Sequence, residues 1–145
     1  MASTDGDALI APSSPVVLIV EDDPTIRRFY QRVFELDGFV TDEAHNGLQA
    51  LEKAIQSAPD LVLTDIAVPG IDGIELCRRL RAHQSTRDIP VLAVTGYADR
   101  QYPDRARDAG ADHVIVKPCE AKTLVAEARR LLARIRRERD RRAGC

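Results

Sequence analysis

The sequence predicts an α/β sandwich of three layers, a parallel sheet with helices on both faces. Three observations lead there. Short apolar runs recur without polar alternation at Val16–Val20, Leu61–Leu63, Val91–Val94 and Val114–Val116; such runs suit strands buried on both faces. Between them lie stretches whose apolar residues repeat at three and four. Strand and helix then alternate five times along the chain, which implies parallel strands joined by right-handed crossovers.

The elements follow in order. The run "VVLIV" is the first strand. Pro24 stands at a first helical position with Asp23 as its cap, and Ile26, Phe29, Tyr30, Val33 and Phe34 form a helical stripe that stops near Gly38. "FVTDEA" from Phe39 alternates more, as an edge strand does. Leu48, Leu51 and Ile55 mark a second helix that Pro59 ends, and "LVL" is the third strand. The turn pairs in "PGIDG" open a third helix striped by Ile74, Cys77 and Leu80. "VLAV" is the fourth strand, and a short helix from about Pro103 to Gly110 leads to "VIV". The last helix starts near Glu120, with Leu124, Ala128, Leu131 and Ile135 on one stripe.

Composition is that of a globular chain: 145 residues, 44% hydrophobic and 30% charged. No apolar run approaches the roughly 20 residues that span a bilayer, so no membrane role is expected. Residues 1–15 read as a flexible acidic leader without the layout of a secretory signal, residues 16–135 as one domain and 136–145 as a basic helix end. Cys77, Cys119 and Cys145 are odd in number and widely spaced, which fits a reducing cytoplasm better than a disulfide framework. His45, His83 and His113 are scattered, and no Cys/His pair has zinc spacing. The net charge of −2 conceals an asymmetry: Arg129 to Arg142 carry eight arginines against Glu138 and Asp140, a net of +6, leaving −8 elsewhere.

Ligands of open parallel sheets bind beyond the carboxyl ends of the strands, so the residues there matter most. The first strand ends in Glu21-Asp22-Asp23, the third in Thr64-Asp65, the fourth in Thr95-Gly96 and the fifth in Lys117-Pro118. Singly these are a helix cap, a turn residue or a solvated charge. Together they make one chemistry. Clustered carboxylates repel unless a cation joins them, and Glu21, Asp22 and Asp65 would attract Mg²⁺ or Mn²⁺, hard cations that take oxygen ligands. A carboxylate is also a nucleophile toward phosphorus. Thr95 offers a hydroxyl, and Lys117 a compact positive charge, to a transferring phosphoryl group.

These residues resemble the receiver domain of two-component response regulators. "LIVEDDP", "LVLTDIAVPGIDG", "VLAVTGY" and "AGADHVIVKP" stand in that family's order and at its separations, from Val16 to about Ile135. The resemblance implies a CheY-like, flavodoxin-like fold with strand order 2-1-3-4-5. It makes Asp65 the phosphoryl acceptor and Glu21 and Asp22 the acidic pair, with Asp22 the more direct metal ligand. Ala67 would give its backbone carbonyl to the metal, Thr95 and Lys117 would bind the phosphoryl group, and Pro118 would follow a cis bond. Ala67 and Tyr97 stand at positions that tune phosphoryl lifetime. Two departures concern the output: Val114 replaces the usual switch aromatic, and Cys119 the usual Phe.

The expected function is a stand-alone receiver that takes its phosphoryl group from a histidine kinase or phosphotransfer protein and controls a downstream protein or relays the group. It would catalyse only its own phosphorylation and dephosphorylation. Two other classes compete. An aspartate-nucleophile phosphatase would carry a second acid two residues after the nucleophile, where Ala67 stands. Nucleic-acid binding through the eight arginines has no base-reading module beside it, and a solvated helix end is the favoured reading.

Overall fold

The computed structural model of the chain describes residues 14–96 and 101–144. The leader ahead of Ser14, the position of Tyr97 and Cys145 lie outside the described residues. Five strands, β1 Val16–Val20, β2 Val40–Ala44, β3 Leu61–Asp65, β4 Val91–Thr95 and β5 His113–Val116, alternate with five helices, α1 Pro24–Leu36, α2 Gly47–Ser57, α3 Gly73–Ala82, α4 Gln101–Ala109 and α5 Ala121–Ala143. All pair in parallel in the order β2-β1-β3-β4-β5.

The sheet is apolar on both faces because both are covered. Val17, Ile19, Leu61, Leu63, Leu92, Val94 and Ile115 face α1 and α5, where Tyr30, Phe34, Leu124, Ala128 and Leu131 meet them. Their sequence neighbours Leu18, Val20, Val62, Val91 and Ala93 join the opposite cluster with Ala50, Ala54, Ile74, Cys77, Leu80 and Ala106. Each fully buried aliphatic side chain contributes about 1.5–3 kcal/mol. Phe34 and Phe39 pack edge to face at 5.0 Å, closing the turn between α1 and β2. Cys77 is fully buried, and burial pushes its thiol up to about 12, so it serves as a small hydrophobe.

Four helices differ from the expected pattern or bounds. In α1, Phe29 is 55% exposed, and Arg27 takes an inward place instead. In α2 the buried positions are Gly47, Ala50 and Ala54, while Leu48 is exposed. The small residues win because α2 lies so close to its neighbours that a Cβ on Gly47 would fall 2.1 Å from the Ile71 carbonyl oxygen. Helix α4 includes Gln101 and Tyr102 ahead of Pro103, which sits in the first turn where its missing N–H costs nothing. Helix α5 passes Ile135 without a break and continues to Ala143.

Candidate functional site at the carboxyl edge of the sheet

The three acids after β1 divide into three roles. Asp23 is the α1 cap: its Oδ1 accepts the N–H groups of Thr25 at 2.8 Å and Ile26 at 3.2 Å. Asp22 is exposed. Glu21 is buried, only 3% exposed, with its N–H bonded to the Ala44 carbonyl at 3.1 Å. Its Oε2 accepts the Asp23 N–H at 3.0 Å, and Oε1 is buried without a partner. Burial raises Glu21 to about 7; the neighbouring Asp22 and Asp65 push the same way, and the Asp23 N–H and Lys117 only partly oppose them.

Asp65 ends the central strand β3. Its Oδ2 accepts a hydrogen bond from the Lys117 ammonium at 2.7 Å, and its Oδ1 accepts the Ala67 N–H at 3.0 Å. The carboxylate is 11% exposed and the lysine 30%. Burial alone would pull Lys117 down, but the hydrogen bond and charge of Asp65 together hold its pKa above the ordinary lysine value. The turn behind Asp65 is equally constrained: the N–H of Gly73 bonds to the Ile66 carbonyl at 2.8 Å. A Cβ on Gly73 would meet the Asp65 carbonyl oxygen at 2.6 Å, so the start of α3 can pass beneath the acceptor only as glycine.

Thr95 ends β4 and is buried, with its hydroxyl donating to the Gly96 carbonyl at 3.1 Å rather than to Asp65. The N–H of Lys117 bonds to the Thr95 carbonyl at 2.8 Å, which fixes the lysine against β4, and the Lys117–Pro118 peptide is cis. Val114 is buried, 6% exposed, in the cluster under α4. The fold thus brings Glu21, Asp65 and Lys117 together; it leaves Thr95 bonded elsewhere and Ala67 on the surface.

Sequence reasoning missed Arg27. Its Nη1 donates to the Glu21 carbonyl at 2.9 Å and its Nε to Glu43 at 3.1 Å, while Gln31 donates to the other Glu43 oxygen. This inward arginine clamps the loop that carries Glu21 and Asp22. A charge on an otherwise apolar stripe, with an acid on the neighbouring strand, was the available signal.

The donor set suits a hydrated hard cation. Among the described residues no three His, Cys, Asp or Glu side chains form a closed metal cage. Mg²⁺ needs none, since it takes one or two carboxylates and keeps several waters. The unpartnered Glu21 oxygen and the mutual repulsion of Glu21, Asp22 and Asp65 are what such an ion relieves.

Comparison with known proteins identifies the family. The response regulator receiver domain family matches residues 17–129. The transcriptional regulatory protein CseB of Streptomyces avermitilis is 42% identical over 118 residues, 81% of this chain and 49% of that one. The DNA-binding dual master transcriptional regulator RpaA of Synechocystis is 36% identical over 120 residues, 83% of this chain and 50% of that protein. The chain therefore spans about half the length of these curated relatives. A response regulator structure from Chloroflexus aurantiacus superposes with a TM-score of 0.80 at 33% identity, covering 83% of this chain and 99% of that one. A receiver-type sheet with its acidic edge, matched along most of its length by that family, places this chain in the response regulator receiver family.

Proposed function

We propose that Asp65 accepts a phosphoryl group from a phosphohistidine of a kinase or phosphotransfer protein, and that the change of charge there switches the affinity of the domain for a downstream protein. The observation that carries this reading is the 2.7 Å contact between Lys117 and Asp65 beside the unpartnered Glu21 oxygen. In the transfer, a carboxylate oxygen of Asp65 forms a bond to phosphorus as the P–N bond of the phosphohistidine breaks. The electron pair leaves with the imidazole, which later takes a proton from solvent. Glu21, Asp22, Asp65 and the Ala67 carbonyl would hold Mg²⁺ or Mn²⁺, which supplies positive charge to the phosphoryl oxygens when bound. Lys117 keeps its proton at this site and turns from the carboxylate to the phosphoryl group. Thr95 reaches the same group by giving up its bond to the Gly96 carbonyl.

The groove beside the acceptor supports a protein as donor. Ile26, Phe29, Tyr30 and Val33 of α1 face Pro118 and Cys119 across a cavity of about 570 Å³ that Lys117 also lines. An apolar floor next to a nucleophile suits helices that present a phosphohistidine. Ala67 gives Asp65 a backbone N–H and no second acid, so the site lacks the proton donor of an aspartate-nucleophile phosphatase. Among the described residues no helix is long and apolar enough to cross a membrane, and the cytoplasm is the proposed location.

The test is intact mass after incubation with acetyl phosphate and Mg²⁺. One phosphoryl group is expected on the wild-type chain, and none on Asp65→Asn or in excess chelator. A mass gain that survives either treatment overturns the assignment.

A further inference from the structure

The basic helix end and Pro15, where the chain enters β1, lie together at the edge of the sheet opposite Asp65. Beyond Leu131, its last fully buried residue, α5 continues from Leu132 to Ala143, roughly 18 Å at 1.5 Å per residue. A groove of about 520 Å³ opens between this stretch and the start of β1. Pro15 forms one wall, half-buried Leu132 and Ile135 the apolar part of the other, and Arg136, Arg137 and Arg139 its outer rim. Arg129, Arg130 and Arg134 are paired with Asp37, Glu127 and Asp112, but the three rim arginines have no ion pair among the described residues. Asp60, the acid on the lip, is engaged with the Val16 N–H at 2.8 Å.

The segment that enters the fold at Pro15 is complementary to this groove. It carries Asp5 and Asp7, no lysine or arginine, and the apolar pair Leu9-Ile10. The order along both partners agrees. Moving outward from Pro15 the chain reaches Ile10 and Leu9 first and the aspartates next. Moving outward along α5, Leu132 and Ile135 come first and the arginines next. Ile10 is within about 17 Å of Pro15 and Asp7 within about 27 Å in an extended chain, enough to reach each counterpart. Because the segment is tethered at the groove, its effective concentration there is of order millimolar.

We propose that residues 5–10 dock in this groove in cis, Leu9 and Ile10 against Leu132 and Ile135, and Asp5 and Asp7 against Arg136, Arg137 and Arg139. The leader then offsets two of the three rim charges and covers the apolar side of α5. An acidic partner for the helix end must displace it.

Amide hydrogen exchange on the full-length chain tests this, read by mass spectrometry over residues 132–143. The wild type is expected to exchange about fivefold more slowly there than Leu9→Ser/Ile10→Ser or Asp5→Arg/Asp7→Arg. Adding Arg136→Asp, Arg137→Asp and Arg139→Asp to the second variant is expected to restore most of the protection. Phosphorylation at Asp65, on the opposite edge, stays unchanged in all of them and serves as the folding control. Equal exchange in the wild type and the leader variants overturns the proposal. So does protection that rises with protein concentration, which makes the occupant a second copy, and so does a charge-reversed pair that fails to regain protection.

Discussion

Glu21 sets the electrostatic state of the site. Its pKa is raised from the ordinary glutamate value of 4.5 to about 7, so between those values the folded chain holds a proton that the unfolded chain has lost. Without a divalent cation, stability is therefore greatest below about pH 4.5 as far as this group is concerned, falls as pH rises through about 7, and is level above that, by roughly 3 kcal/mol in all. Urea midpoints of the metal-free protein against pH should show this limb, Glu21→Gln should flatten it, and Mg²⁺ at pH 8 should restore the wild type. Lys117 makes a separate prediction. Lys117→Ala should still bind Mg²⁺ and accept phosphate on Asp65, yet lose most of the phosphorylation-driven change in amide exchange. Lys117→Arg should rescue it only in part, because a planar fork does not replace a point charge held 2.7 Å from the carboxylate. Wild-type switching in both variants removes Lys117 from the mechanism.

At the level of elements, the site depends on how closely the turns lie. A Cβ at Gly73 would meet two backbone atoms, the Asp65 oxygen at 2.6 Å and the Ile66 Cα at 2.8 Å. Gly73→Ala should cost about 1–3 kcal/mol in urea unfolding and slow phosphorylation, since the displaced group is the acceptor's own peptide. A second element-scale device lies on the far edge. Arg81 of α3 donates to the Gly110 and Ile89 carbonyls and to Asp112, whose Oδ2 also accepts the Val91 N–H at 2.8 Å. It ties the turns before β4 and β5 together. Arg81→Ala takes this donor from the Gly110 and Ile89 carbonyls, while Asp112 keeps the Val91 N–H and Arg134, and should cost about 2–4 kcal/mol, measured by the same unfolding curves, with little effect on Mg²⁺ affinity. These positions were only partly legible in advance. The "PGIDG" turn was readable, but the approach of α3 to Asp65 and the partners of Arg81 join residues distant in sequence.

Across the whole molecule, charge is segregated: the acids of the site lie at one edge of the sheet, and the rim arginines of α5 project beyond the other. Cutting the chain after Ile135 removes no residue of the buried core and should leave phosphorylation and Mg²⁺ affinity nearly unchanged. At low salt the intact chain should bind duplex weakly through counterion release. At physiological salt no sequence-selective DNA or RNA complex is expected, phosphorylated or not. A sub-micromolar complex that prefers one sequence and vanishes on truncation would assign the output to the arginines instead.

The sequence by itself determined the alternation of strands and helices, the apolar faces of the sheet and the residues that stand at its carboxyl edge. Each rests on local periodicity or on the residue that follows a strand, and both are written in neighbouring positions. Asp23 caps α1 as its place before Pro24 implies, but the tertiary structure decided how the other two acids differ: Asp22 stays in water and Glu21 is buried with one oxygen unpartnered. It also decided that Phe29 faces a groove, that α2 packs through alanines and that Arg27 turns inward to hold Glu21. Those outcomes depend on the distance between elements and on competition for the same donors, which spacing along a single chain does not set, although the charge of Arg27 on an apolar stripe points toward one of them.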